Sequence, residues 1–163
     1  MDAPQLDLLI AAALLGDAVT ARTLEALREA GYGDTRPGHG YVVQRLLAGP
    51  TSIGEIAAAL GVTQQAISKT AGELERGGYV ERAPDERDAR RHLVSLTPRG
   101  RDMVETARAA RAALLARLEE RIGRERLAAA TEALHEALDV AGALEAAQQR
   151  LARPPDPPCR VTG

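Results

Sequence analysis

Two short helix patterns joined by the tight turn "LGV" constrain the fold of this chain more than any other feature. The first follows the capping box "SIGE", in which the Ser52 hydroxyl can accept from the Glu55 amide while the Glu55 side chain reaches back. It is predicted to end at Gly61. The second is predicted to begin after the N-cap residue Thr63 and to end at the glycine pair 77–78. This arrangement is typical of a helix-turn-helix.

Apolar residues at helical spacing indicate how the two helices would pack. The inward positions of the first are Ile53, Ile56, Ala57 and Leu60. Those of the second are Ala66, Ile67, Ala71 and Leu74. The chain contains no Phe and no Trp, so we expect a core of Leu, Val, Ile and Ala.

Two strand candidates follow the helix pair directly. They are "YVERA" and "RHLVSLT", and the turn-forming segment "PDERDA" joins them. A helix-turn-helix followed by a two-stranded ribbon is a winged helix. Asp88 precedes Arg90 by two residues, a spacing that favours a charge-assisted pair that would orient the guanidinium and stiffen the turn.

Helical periodicity flanks this region on both sides. Residues 5–30 predict one long helix, or two with a break near residues 16–17, and Pro37 begins another. Periodicity resumes after Pro98 and continues to about Leu151, with a break at Gly123. The chain is therefore predicted to be mainly α with a small β-hairpin wing. We expect an N-terminal dimerisation region (1–34), a winged helix-turn-helix (35–100), C-terminal dimerisation helices (101–151) and a disordered, proline-rich tail (152–163).

Charge is distributed unevenly along the chain. The formal net charge is −2, which argues against a uniformly basic surface. Between Arg87 and Arg101, however, five arginines face a single carboxylate, that of Asp88. The hairpin therefore carries a local positive field that a polyanion would meet.

Several function classes lack support in the sequence. No apolar run has the length of a membrane span, and no catalytic triad, phosphate-binding glycine loop or metal-ligand spacing occurs. The only cysteine, Cys159, fits a reducing cytoplasm, and the three histidines are scattered. We therefore expect a cytoplasmic protein that is not an enzyme, has no cofactor or metal, and does not associate with membranes.

A longer stretch carries a family resemblance. Residues 53–103, "IGEIAAALGVTQQAISKTAGELERGGYVERAPDERDARRHLVSLTPRGRDM", closely resemble the winged helix of the MarR family of bacterial transcription factors. The segment "GYGDTRPGHGYVVQRL" resembles the approach to the second helix in one branch of that family. The resemblance implies a homodimer with interlocked terminal helices and control of nearby genes. That control is often relieved by a phenolic or other aromatic acid.

Polar residues of the second helix and cations of the hairpin are the candidate contacts to double-stranded DNA. On the helix they are Thr63, Gln64, Gln65, Ser68 and Lys69. On the wing they are Arg87, Arg90 and Arg91. Glutamine can hold adenine through paired hydrogen bonds, and cations can bind guanine or phosphate. Two alternatives are a simply solvated helix face and hairpin turn, or a winged helix used for protein–protein contact. The latter would expose apolar residues on the second helix.

The C-terminal region supports a homodimer independently of the resemblance. Leu114, Leu115, Leu118 and Ile122 form one apolar stripe. Leu127, Thr131, Leu134, Leu138 and Ala141 form another. A small monomer has little core to cover such faces, although an intramolecular helical hairpin is the alternative. Two-fold symmetry would place the recognition helices about one DNA turn apart, which predicts a pseudo-palindromic operator.

An effector site is predicted only in outline. Tyr32, Arg36, His39 and Tyr41 are polar candidates for binding a small organic anion, although solvent exposure or helix capping explains each of them equally well. The lack of Phe and Trp weakens the case for an aromatic-walled pocket. No cysteine occurs in the N-terminal helix region, where peroxide-sensing relatives carry one. The main hypothesis is a DNA-binding repressor released by a small organic effector.

Overall fold

A computed structural model describes residues 7–85 and 88–148 of the chain. The helices are α1 (Leu8–Glu29), α2 (Pro37–Leu46), α3 (Ile53–Leu60), α4 (Gln64–Arg76), α5 (Pro98–Ile122), α6 (Arg124–Val140) and α7 (Leu144–Gln148). The strands are β1 (Thr51–Ser52), β2 (Val80–Asp85) and β3 (Asp88–Leu96). The predicted tail with Cys159, and the wing residue Arg87, lie outside the described residues. For Arg90 the description extends to the backbone only.

The predicted hairpin is present, but it belongs to a three-stranded antiparallel sheet. The strand order is β1-β3-β2, with Thr51 opposite Val94 and Val80 opposite Leu96. The pairing of β2 with β3 becomes irregular at residues 84–85, next to the turn. The two-residue strand β1 leads directly into α3, so the sheet is joined to the start of the helix-turn-helix.

The predicted helix boundaries of the helix-turn-helix are confirmed by hydrogen bonds. The Ser52 hydroxyl accepts from the Glu55 amide at 3.3 Å, and a Glu55 carboxylate oxygen accepts from the Ser52 amide at 3.0 Å. Gly61 adopts a left-handed conformation with φ of 64°, which ends α3. The Thr63 hydroxyl accepts from the Ala66 amide at 3.2 Å and caps α4. Helices α3 and α4 therefore begin and end where the capping and glycine signals predicted.

The hydrophobic core lies between α2, α3, α4, the sheet and the first turns of α5. Its largest fully buried side chains are Ile56, Leu60, Leu74, Tyr79, Val42 and Val94. Most of the predicted inward positions are buried in it. Ala66 is an exception: it is exposed in the first turn of α4, so its predicted inward position was wrong.

The long flanking helices agree with the sequence expectation in part. Helix α1 is continuous through Gly16, and the alternative of two helices is not observed. At the other end, the break at Gly123 is confirmed, but a second break occurs around Gly142, where φ is 67°. Helix α1 packs along α5, and α6 packs against α5. Within the described ranges, none of the helices has the length and apolar character needed to cross a membrane.

Candidate nucleic-acid interface

Helix α4 has one buried face and one exposed polar face. Ile67, Ala71 and Leu74 are buried in the core. The five predicted contact residues of this helix and its N-cap, Thr63, Gln64, Gln65, Ser68 and Lys69, are all exposed. The side-chain amide nitrogen of Gln64 lies 3.5 Å from where a Cβ of Gly54 in α3 would be, and both Gln64 and Gln65 are exposed. These five exposed residues are therefore all polar, and Lys69 is the one cation among them.

Arg82 of β2 supports the exposed helix, a role that no sequence pattern predicted. Its guanidinium lies 3.2 Å from a carboxylate oxygen of Glu75 and donates to the carbonyl of Ser68 at 3.4 Å. Both acceptors are on α4. Strand β2 thus holds the helix from the side of the wing, and α4 and the hairpin form one unit.

Among the predicted wing cations, Arg91 is the one whose side chain is described. Its Nη2 atom lies 2.5 Å from Glu55 Oε1 and 3.4 Å from the Ser52 hydroxyl. Its Nε atom lies 3.8 Å from the carboxylate of Asp85. Hydrogen bonds from Arg91, and then from Ser52, lower the pKa of Glu55 to about 2. The guanidinium therefore faces the start of α3.

Arg99, a further cation of the basic segment, is occupied in a structural contact. Its guanidinium lies 5.0 Å from the ring centre of Tyr32 and 5.3 Å from that of Tyr79. It also donates to the carbonyls of Gly31 at 2.9 Å and Gly77 at 3.2 Å. The side chain thus ties the ends of α1 and α4 to the start of α5.

The Tyr79 hydroxyl closes the same region by donating to the Asp34 carboxylate. Burial, together with this hydrogen bond, raises the pKa of Tyr79 above its ordinary value of 10.0. The tyrosine therefore stays protonated near neutral pH and continues to donate.

His39 connects α2 to α4. It is 5% exposed, and its Nε2 atom lies 3.1 Å from Glu73 Oε2. Its Nδ1 atom accepts from the Arg36 amide at 3.3 Å, so Nε2 is the nitrogen that donates in the neutral ring. The hydrogen bond with His39, and then the charge of Arg36 at 3.5 Å, lower the pKa of Glu73.

A cavity of about 210 Å³ lies between α1, α2 and α5. Two of the four predicted effector residues, Arg36 and His39, line it. Tyr32 and Tyr41 instead pack against the core. The other polar lining residues were not predicted from the sequence, and they are Thr20, Thr23, Thr35, Gln44, Arg108 and Arg111. Arg108 and Arg111 are one helical turn apart on α5, a spacing that marks a shared face but not what that face meets.

Residues 34–91 match the model of the MarR family. Over 59 residues the chain is 41% identical to the transcriptional activatory protein BadR of Rhodopseudomonas palustris. That match covers 36% of this chain and 34% of BadR, so it spans about a third of the relative's length.

Two solved structures share the fold over most of the chain. The MarR family transcription regulator SP03579 aligns with a TM-score of 0.69 and 26% identity, covering 84% of this chain and 89% of that one. FabT of Streptococcus pneumoniae, solved in complex with DNA, aligns with a TM-score of 0.67 and 19% identity, covering 82% and 93%. Both alignments extend beyond the winged helix into the flanking helices.

Proposed function

We propose that this chain, whose residues 34–91 match the model of the MarR family, binds a pseudo-palindromic operator in duplex DNA as a homodimer. The observation that carries this proposal is the exposed polar face of α4, whose opposite face is buried in the core. An α-helix fits the major groove of B-DNA, and short polar side chains near its N-terminus reach base edges. That the FabT structure contains DNA supports the use of this fold for duplex binding.

The residues of α4 have separable proposed roles. Gln65 and Gln64 would hydrogen-bond bases, Lys69 would contact guanine or phosphate, and Thr63 and Ser68 would contact nearby phosphates. Arg87 and Arg90 would contact phosphates or enter the minor groove from the wing. A winged helix used for protein contact would expose apolar residues here instead. The polar character of these five positions therefore favours DNA.

Selection from a random duplex library with the purified protein tests the proposal. An enriched inverted repeat supports it, and no enrichment at low salt rules out sequence-specific binding.

Gln65→Ala should then cost about 1–3 kcal/mol of binding free energy and relax the preference at one base position. Lys69→Ala, if the amine contacts phosphate, should weaken all sequences alike and lower the salt slope by about one. Arg22→Ala removes an exposed cation of α1 and serves as the control.

The homodimer is supported by apolar side chains that the single chain leaves uncovered. On α1 they are Leu8, Leu9, Ile10, Leu14 and Leu15, and α5 adds Leu115. Helix α6 contributes no buried residue to the monomer. A second copy would bury these faces and set the spacing of the two recognition helices.

Leu14→Glu tests the dimer by placing a charge on the exposed apolar face. We expect the variant to sediment as a monomer and to lose its affinity for the inverted repeat, because one recognition helix alone reads half of the site. Ala58→Glu places the same charge on an exposed position of α3 and should leave the mass unchanged. A wild-type protein that is monomeric at micromolar concentration would contradict the proposal.

Regulation by a small organic anion is supported by the cavity between α1, α2 and α5. Its lining includes the cation Arg111, and also Arg36 and Arg108, which pair with Glu73 and Glu105 outside the lining. Its volume of about 210 Å³ suits a small acid such as benzoate or 4-hydroxybenzoate. Titration of both compounds, with Arg111→Ala as the variant that should weaken binding, tests this assignment by calorimetry.

We further propose that the protein acts as a repressor. A reporter gene placed behind the selected operator tests this, because a repressor lowers expression and the anion should restore it. BadR is named an activatory protein, and raised expression in the reporter would assign that direction to this chain instead.

A further inference from the structure

We propose that Arg91 is a positioning residue, which together with Glu55 fixes the wing to the first helix of the helix-turn-helix and does not contact DNA itself. This inference rests on the proposed DNA-binding function. It replaces the direct phosphate contact that the sequence pattern predicted for this arginine. Arg91 lies on β3 and Glu55 in the first turn of α3, so the pair joins two elements that are far apart in sequence.

The geometry directs the guanidinium of Arg91 toward the N-terminus of α3. It lies 2.5 Å from Glu55 and within 4 Å of Ser52 and Asp85, and 42% of the side chain is exposed. A phosphate contact would require Arg91 to leave these acceptors. Leaving Glu55 would break a charge-assisted hydrogen bond, whose cost solvent screening keeps modest.

The charges around Arg91 lead to the same conclusion. The carboxylates of Glu55, Asp85 and Asp88 all act on the guanidinium, and together they raise its pKa. Three negative groups near one cation leave little positive field for a DNA phosphate. The pair is therefore an internal contact of the protein and contributes little to the basic surface of the wing.

Glu55 contributes to two contacts at once. Its Oε2 atom accepts from the amide and the hydroxyl of Ser52, which caps α3, while Oε1 pairs with Arg91. Ser52 in turn pairs with Leu93 in the sheet. The hairpin is thus fixed to the N-terminus of α3 by a carboxylate that the capping box already orients. The position of the wing relative to α4 depends on this contact.

Glu55→Gln separates the two roles of the carboxylate. Glutamine preserves the capping box, because its carbonyl oxygen can accept from the Ser52 amide, but it loses the ion pair with Arg91. We expect roughly three- to tenfold weaker operator binding for Glu55→Gln and for Arg91→Ala alike. The double variant should be no weaker than either single change, because both remove the same contact.

The sign of the Glu55→Gln effect decides between the two roles. If Arg91 contacted phosphate, releasing it from Glu55 would strengthen binding or leave it unchanged, and the salt slope would not fall. Under a positioning role the slope falls although no cation has been removed, because the wing loses its contacts as a unit. Glu25→Gln removes the same charge from an exposed ion pair of α1, and it should leave the affinity unchanged.

Hydrogen exchange without DNA separates this inference from the proposed function. The amides of β2 and β3 should exchange faster in Glu55→Gln and Arg91→Ala than in wild type, and those of α4 should not. If the exchange rates of the hairpin amides were unchanged in both variants, the positioning role of Arg91 would be overturned, whether or not the protein binds DNA. If the wild-type protein bound no duplex, the DNA-binding proposal would be overturned. The exchange rates would then decide alone whether Arg91 and Glu55 hold the wing in place.

Discussion

The winged region and the terminal helices bury their apolar residues to very different extents. In the winged region Leu74, Ile56 and Val94 are completely buried within one chain. At the termini Leu9 is 71% exposed, and α6 has no buried residue at all. The two regions contain similar aliphatic side chains. Composition therefore does not explain the contrast, and the availability of a packing partner within the chain does.

This contrast indicates different roles for the winged region and the terminal helices. The winged region has its own core, so a single chain is sufficient to determine its shape. The terminal helices carry apolar faces that one chain does not cover. Because uncovered apolar surface of this kind marks an interaction site, the terminal helices are where a second copy is expected.

Leu74→Ala should produce the largest change in the free energy of unfolding, a loss of about 2–5 kcal/mol, because it opens a cavity in a fully packed core. Leu9→Ala should lower the free energy of unfolding only at protein concentrations at which the dimer forms, because Leu9 is exposed in the single chain. Urea unfolding at several protein concentrations measures both. An equal loss of unfolding free energy for Leu9→Ala and Leu74→Ala at every concentration would contradict this difference between the regions.

Gly100→Ala should cost about 1–3 kcal/mol of folding free energy. A Cβ at this position would overlap the carbonyl oxygen of Tyr79, which accepts from the Thr97 amide at 3.0 Å. Helix α5 would have to move away from the wing. Thermal unfolding followed by circular dichroism measures the loss, and an unchanged midpoint would show that α5 can shift without cost.

Gly16→Ala should have a smaller effect in the opposite direction, a gain of about 0.5–1 kcal/mol. Gly16 lies in the middle of α1, and a Cβ there meets no atom within 4 Å. Alanine is the better helix former. The same thermal measurement applies. A loss of stability would indicate that Gly16 lies in close contact with the second copy, where an added methyl group does not fit.

The smallest expected effect is a dependence on pH. The pKa of Glu55 lies at about 2 in the folded chain, below its ordinary value of 4.5. Its ionised form therefore stabilises the fold above pH 4.5, and this contribution is lost as the pH falls from 4.5 toward 2. The effect is small because solvent screens the exposed pair. Stability curves of wild type and Glu55→Gln should converge over this interval, and parallel curves would contradict the assignment.

Local signals in the sequence were sufficient to predict the helix-turn-helix. Ser52, Glu55, Gly61 and Thr63 set helix boundaries through bonds within a few residues, so their pattern is readable without a structure. The hairpin was predicted for the same reason. Strand β1 was not, because two residues are too few for any alternation and its pairing with Val94 is long-range.

The candidate site was less predictable where distant elements meet. The cavity brings Arg36 together with Arg111, and the wing brings Arg91 against Glu55. Such contacts depend on how helices pack, which residue spacing does not specify. Basic residues near one another in sequence were interpreted as one surface. In the structure Arg91 contacts Glu55, and Arg99 contacts Tyr32 and Tyr79.

Lys69 has a practical consequence beyond its proposed role in binding. It is the single lysine in the sequence, and it lies exposed on α4. An amine-reactive fluorophore would therefore have one side-chain target on the whole polypeptide. Its emission would report the local environment of the helix directly, and protection of this amine from acylation would map occupancy of that surface without any engineered label.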